Sequence, residues 1–134
     1  MELGNALNWF EIPVSDFDRA KKFYETIFSY EMPENIMGQA RMGFFLHDFK
    51  NGKIGGAIVH NPELITPGTN GSLIYLNCQP DLQVVLDRVE NAGGKILKEK
   101  TNISKDQHLG YWALMNDTEG NKVAGQTHLI SIEE

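Results

Sequence analysis

Two stretches of this chain, about 64 residues apart, carry the same order of features: a short β-like run, an acidic turn residue and an amphipathic helix. The first reads Trp9-Phe10-Glu11-Ile12-Pro13-Val14, then Ser15 and Asp16, then Phe17, Ala20, Phe23, Tyr24, Ile27 and Phe28. That spacing gathers the apolar side chains on one helix face, and Ser15 or Asp16 supplies the oxygen that caps the free N–H groups at its start. The second reads Leu73-Ile74-Tyr75-Leu76-Asn77-Cys78, with Pro80 and Asp81 as turn and cap, then Leu82, Val85, Leu86, Val89 and Ala92. Gly93-Gly94 closes this helix, since glycine enters the left-handed conformation without steric cost.

Further candidate strands follow each helix: residues 30–37, 41–47 and 53–60 in the first half, and 95–103, 110–116 and 122–129 in the second. The turn cluster Asp117-Thr118-Glu119-Gly120-Asn121 joins the last two as a hairpin. The predicted fold class is therefore α+β, two βαβββ modules in one domain of 134 residues. Module 1 covers about residues 5–61 and module 2 about 72–130, with a Pro- and Gly-rich linker of about 61–71 between them. One helix covers only one face of a four-stranded sheet, so the other faces must meet each other or a partner. Paired in that way they form a curled mixed sheet around a cleft, the kind of place where ligands sit.

Lys and Arg number 12 against 18 Asp and Glu, a formal net charge of -6. Such a surface repels a phosphate backbone, and no nucleic-acid partner is expected. Lys95, Lys98, Lys100 and Lys105 read as a solvated strand edge that resists aggregation. Cys78 is the single cysteine, which excludes an internal disulfide, and nothing basic beside it favours a thiolate. Met1-Glu2-Leu3-Gly4-Asn5 has neither the basic n-region nor the apolar h-region expected of a secretory leader, and no apolar run approaches the roughly 20 residues that span a bilayer. A cytoplasmic protein with no membrane partner is expected.

The ordered residues Trp9-Phe10-Glu11-Ile12-Pro13-Val14, Asp16, Arg19-Ala20, Phe23-Tyr24-Glu25 and Phe28 resemble the opening module of glyoxalase-like proteins. Tyr75-Leu76-Asn77, Ala92-Gly93-Gly94-Lys95, Gly110-Tyr111-Trp112-Ala113-Leu114 and Asp117 with Glu119-Gly120-Asn121 extend the resemblance along nearly the whole chain. The family resembled is the vicinal-oxygen-chelate superfamily of glyoxalase, bleomycin-resistance and extradiol dioxygenase proteins, and the resemblance implies that fold. It also implies where a divalent metal would be held, by His and Glu side chains pointing inward from the first and last strands of each module. Here the first-strand position falls on Trp9, and its repeat on Leu73, or on Ser72 one residue away. The final-strand position falls on Ala124, and the fourth strand of the first half offers Gly55-Gly56-Ala57-Ile58-Val59. None is a usual ligand, so no metal cofactor is expected at the inherited site. His47, His60, His108 and His128 contain no short chelating pair.

Strand side chains alternate faces, so an inward Trp9 brings Glu11 with it and, by repeat equivalence, Tyr75. The same parity sets Gln126 and His128 on the face of Ala124, giving Trp9, Glu11, Tyr75, Gln126 and His128 as the candidate ligand-binding wall. Glu11 is the catalytic candidate: enclosed by apolar neighbours it acts as a base toward a carbon acid, and otherwise it is tied into the sheet layer by an amide or a cation. Trp9 either stacks on a planar ligand or plugs the space of a metal. Tyr75 donates a hydrogen bond either to a ligand or to Glu11. Met32, Met37 and Met42 serve either as core filling or as an adaptable contact surface.

Two functions stay open on these residues. One is a protein that binds a small organic molecule in the cleft without the family's metal. The other is a superfamily enzyme, a lactoylglutathione-lyase-like lyase or isomerase or a dioxygenase, using a divalent metal at non-standard ligands or Glu11 as a metal-free base. A homodimer fits both, and equally a third case in which the apolar faces serve assembly alone.

Overall fold

A computed structural model describes residues 3–128. The chain runs β1 (Trp9–Pro13), α1 (Phe17–Phe28), β2 (Glu34–Met37), β3 (Ala40–Phe44), a 3-10 turn (Phe49–Asn51) and β4 (Gly55–His60). The second half repeats the order with β5 (Tyr75–Asn77), α2 (Leu82–Val89), β6 (Lys95–Asn102), β7 (Gly110–Asn116) and β8 (Lys122–His128). Each half builds one four-stranded mixed sheet, ordered β1-β4-β3-β2 and β5-β8-β7-β6. In both, the first strand lies parallel to the last and the remaining neighbours are antiparallel. The α+β fold of two βαβββ modules is what the repeat in the sequence dictates.

Both helices start as their caps require. The Asp16 carboxylate accepts the Arg19 amide at 3.1 Å, and that of Asp81 accepts the Gln83 amide at 3.0 Å. Helix α2 stops at Val89, short of Ala92, because the Gly94 amide turns back onto the Val89 carbonyl at 2.9 Å with Gly93 at φ +105°. Strand β2 begins at Glu34 rather than at residue 30: the Met32 amide donates to the Glu25 carboxylate at 2.8 Å, which ties this stretch to α1 and not to the sheet. Leu129, expected at the end of the last strand, lies outside the described residues.

The buried faces of both helices and the helix-side faces of both sheets form one core. Phe23, Tyr24 and Ile27 of α1 meet Leu82, Leu86 and Val89 of α2, with Ile12 and Ile58 from the first sheet and Leu76, Met115 and Val123 from the second. The modules thus join through their helix-covered sides, and the opposite sheet faces do not pack on each other. Trp9 keeps 38% of its surface exposed and Tyr75 49%. A smaller cluster of Met42, Ala57 and Val59 lies on the open face of the first sheet. Met32 and Met42 are buried as filling, whereas Met37 is exposed. No helix among the described residues is long and apolar enough to cross a membrane.

Candidate functional site

On the first sheet, alternation puts Trp9 and Glu11 on the open face, opposite Gly55 and Ala57 of β4. The Trp9 indole N–H donates to the Glu11 carboxylate at 3.3 Å. Its ring centroid lies 6.1 Å from Phe44 and 6.3 Å from His47, forming an aromatic shelf. A Cβ at Gly55 would run into the His47 imidazole, which explains the glycine beneath this shelf. Glu11 is exposed rather than enclosed by apolar neighbours. It also lines a cavity of about 260 Å³ where β1 meets the linker and the start of β8, together with Pro13, Ile65, Ile74 and Lys122.

On the second sheet, Tyr75 lies opposite Ala124, and Gln126 lies opposite both Asn77 and Trp112. The Tyr75 and Trp112 ring centroids are 6.5 Å apart, and the Lys98 ammonium stands 5.5 Å from the Trp112 ring. His128 is exposed at the strand end, its backbone N–H donating to the Gln79 side chain at 2.7 Å. Of the five candidate residues, Trp9 and Glu11 lie on the first sheet and Tyr75, Gln126 and His128 on the second. Glu11 takes its hydrogen bond from Trp9 and not from Tyr75. Trp112 shares the face of Gln126, and applying the parity of β8 to its neighbour β7 is the sequence signal that places it there.

The positions where the superfamily's metal would be held do not fit a metal. Trp9 and Gly55 face each other on one sheet, and Ala124, fully buried, faces Tyr75 on the other. Leu73 precedes β5 and carries no donor. Among the described residues no three His, Cys, Asp or Glu side chains converge as a metal site. His60 and His47 hold backbone carbonyls instead, those of Val14 at 3.0 Å and Phe45 at 3.3 Å.

Between the modules, the β7–β8 turn does more than reverse the chain. The Glu119 carboxylate, with no exposed side-chain surface, accepts the Ser15 amide at 3.0 Å, the Asp16 amide at 2.8 Å and the Arg19 Nε–H at 2.8 Å. Burial by itself pushes this carboxyl up, but the bonds from Arg19, the Asp16 amide and Thr118 outweigh it and hold the pKa at about 2. The Tyr24 hydroxyl donates to Asp117 at 2.7 Å, and burial with that neighbouring carboxylate pushes its pKa well above the ordinary phenol value. The Asn121 amide donates to the Pro13 carbonyl at 2.7 Å and accepts the Gly68 amide at 3.1 Å, tying in the linker. Three side chains of one turn thus bolt module 2 to β1, α1 and the linker. The density of Asp, Glu and Asn within a five-residue turn, more than a hairpin needs, is the sequence signal for this role.

The family model described as Glyoxalase/Bleomycin resistance protein/Dioxygenase superfamily matches residues 6–124. A glyoxylase-like domain-containing protein of Didymella fabae is 30% identical over 132 residues, which is 97% of this chain and 95% of the relative. Among solved structures, a glyoxalase/bleomycin resistance protein from Albidiferax ferrireducens T118 superposes with a TM-score of 0.66 at 19% identity, covering 91% of this chain and 98% of that one. An antibiotic binding protein from Streptomyces sp. CB03234 superposes with a TM-score of 0.65 at 19% identity, covering 96% and 99%. With the repeat, the sheet order and the family match in agreement, the chain belongs to the glyoxalase/bleomycin resistance protein/dioxygenase superfamily.

Proposed function

We propose that the protein binds a small, partly aromatic organic molecule against its open sheet faces, without the divalent metal of the superfamily's enzymes. The observation that carries this reading is the pair of aromatic surfaces left open to solvent, Trp9 with Phe44 on one sheet and Tyr75 with Trp112 on the other. Aromatic faces with a few polar groups beside them, here Glu11, Gln126 and Lys98, are the usual materials of a small-molecule site. The fold is one it shares with an antibiotic binding protein of a Streptomyces species. Glu11 serves this reading as an orienting acceptor: exposed and bonded to the indole, it lacks the enclosure that proton abstraction from carbon asks of a base.

A homodimer completes the proposal. The open face of the first sheet is apolar at its centre, and a second copy laid over it by a two-fold axis would enclose a ligand between sheets. Light scattering on the purified protein is expected to give twice the 15.1 kDa chain mass.

Trp9 and Trp112 are the only two tryptophans, and both lie on open faces, so intrinsic fluorescence reports the site directly. Protein treated with EDTA and dialysed is titrated with planar aromatic compounds. Saturable quenching that persists without metal, and that Trp9→Phe and Trp112→Phe each reduce in part, is the expected result. Binding or turnover that appears only after adding nickel, zinc, manganese or iron(II) would remove the metal-free reading.

A further inference from the structure

The bolt at one end of the intermodule seam has no counterpart at the other. By the repeat, the β3–β4 connection should seal the end of β5 against the start of α2 just as the β7–β8 turn seals β1 against α1. That connection instead turns through Phe49–Asn51, and its bond here stays within the first module, the Leu46 amide donating to the Tyr30 hydroxyl at 3.2 Å. A cavity of about 460 Å³ remains between the end of α1, the end of β5 and one face of α2. This volume lies within the range of small-molecule sites.

The chemistry of its wall is specific. Phe28 and Tyr30 stack in parallel, with ring centroids 5.8 Å apart and planes 12° from parallel, and offer a flat apolar side. At the mouth, Leu46 is 51% exposed and Val84 43%, apolar surface that nothing among the described residues covers. Arg88, half-buried on α2, also lines the cavity. One guanidinium N–H caps the end of α1 by donating to the Ile27 carbonyl at 3.2 Å, and no carboxylate among the described residues pairs with its charge. A positive, forked donor beside a stacked aromatic pair matches a planar body bearing a carboxylate. Asp81 lines the same cavity with its own negative charge, which disfavours a second one on the ligand.

We propose that this gap is a second ligand site, separate from the open sheet faces, that takes a small aromatic monocarboxylate. The test is 2-naphthoate, with neutral 2-naphthamide as its isostere, titrated into ¹⁵N-labelled full-length protein. Naphthoate is expected to shift the amides of Tyr30, Leu46 and Gln79 along a saturation curve of their own, separate from any shift of the Trp9 and Trp112 indole signals. Arg88→Gln should weaken naphthoate about tenfold while leaving the weaker naphthamide unchanged. Val84→Trp, an exposed change that fills the mouth and spares the α1 cap, should abolish both, and it decides the matter if Arg88→Gln proves unstable. Shifts confined to the indole signals, no saturable shift at these amides, or equal affinity of wild type and Arg88→Gln for naphthoate would overturn the proposal. Trp9→Phe should not alter the saturation of the Tyr30, Leu46 and Gln79 amide shifts, so the fate of this site is read independently of the metal-free reading above.

Discussion

The Glu119 carboxylate sits between the first amides of α1 and the guanidinium of Arg19, bonded across a separation of 103 residues to Asp16. Its pKa of about 2 in the folded state lies below its ordinary value of 4.5. A lowered carboxyl pKa stabilises the fold above the ordinary value, and that contribution is lost as the pH falls from about 4.5 to about 2. Glu119→Gln is therefore expected to lose about 2 kcal/mol at pH 7, a figure reduced for the exposure of Arg19, and to show a flatter stability profile below pH 4.5. Urea denaturation at a series of pH values checks both. Cys78 offers a contrasting single-residue outcome, since burial pushes its thiol up to about 11. It is expected to stay unreactive toward a disulfide reagent at pH 7.5 until the protein is unfolded, and rapid labelling of native protein would contradict its place in the core. The burial of Cys78 was legible in the sequence because an apolar strand end suffices to bury it. Glu119 was legible only as part of a turn, because its partners are brought to it by the fold.

At the scale of elements, the apolar periodicity located both helices and every strand, and it erred where a local bond outcompeted the pattern. The stretch from residue 30 reads as strand, yet the Glu25 carboxylate draws the Met32 amide to the helix, so pairing starts only at Glu34. A similar competition governs glycines that open and close strands. Gly110 begins β7 at φ +112°, and a Cβ there would collide with the Thr127 carbonyl of β8. Gly120 shares the left-handed conformation, φ +87°, but has open space around it. Gly110→Ala should accordingly cost about 3 kcal/mol and Gly120→Ala only about 1 kcal/mol. Thermal or urea unfolding of the two variants side by side tests the difference, and equal losses would show that the backbone conformation alone matters.

Across the whole molecule, strand parity correctly set Trp9 with Glu11 and Tyr75 with Gln126, because alternation is local to each strand. Which faces meet is not local, and whether Trp9 on one sheet and Tyr75 on the other serve one ligand is decided beyond the single strand. The deciding quantity is the apolar surface of α1 and α2, which buries best when the helices pack together and leaves the far sides of both sheets bare. Cleaving the chain within residues 61–71 is expected to yield fragments that are unfolded or aggregated alone and regain native circular dichroism when mixed. A fragment that folds monomerically by itself would contradict the shared core. Each module therefore holds half of an interior, and the repeat in the sequence is completed only when the two halves meet. What would otherwise be an encounter between two molecules is carried within one chain, so the interior forms at any protein concentration.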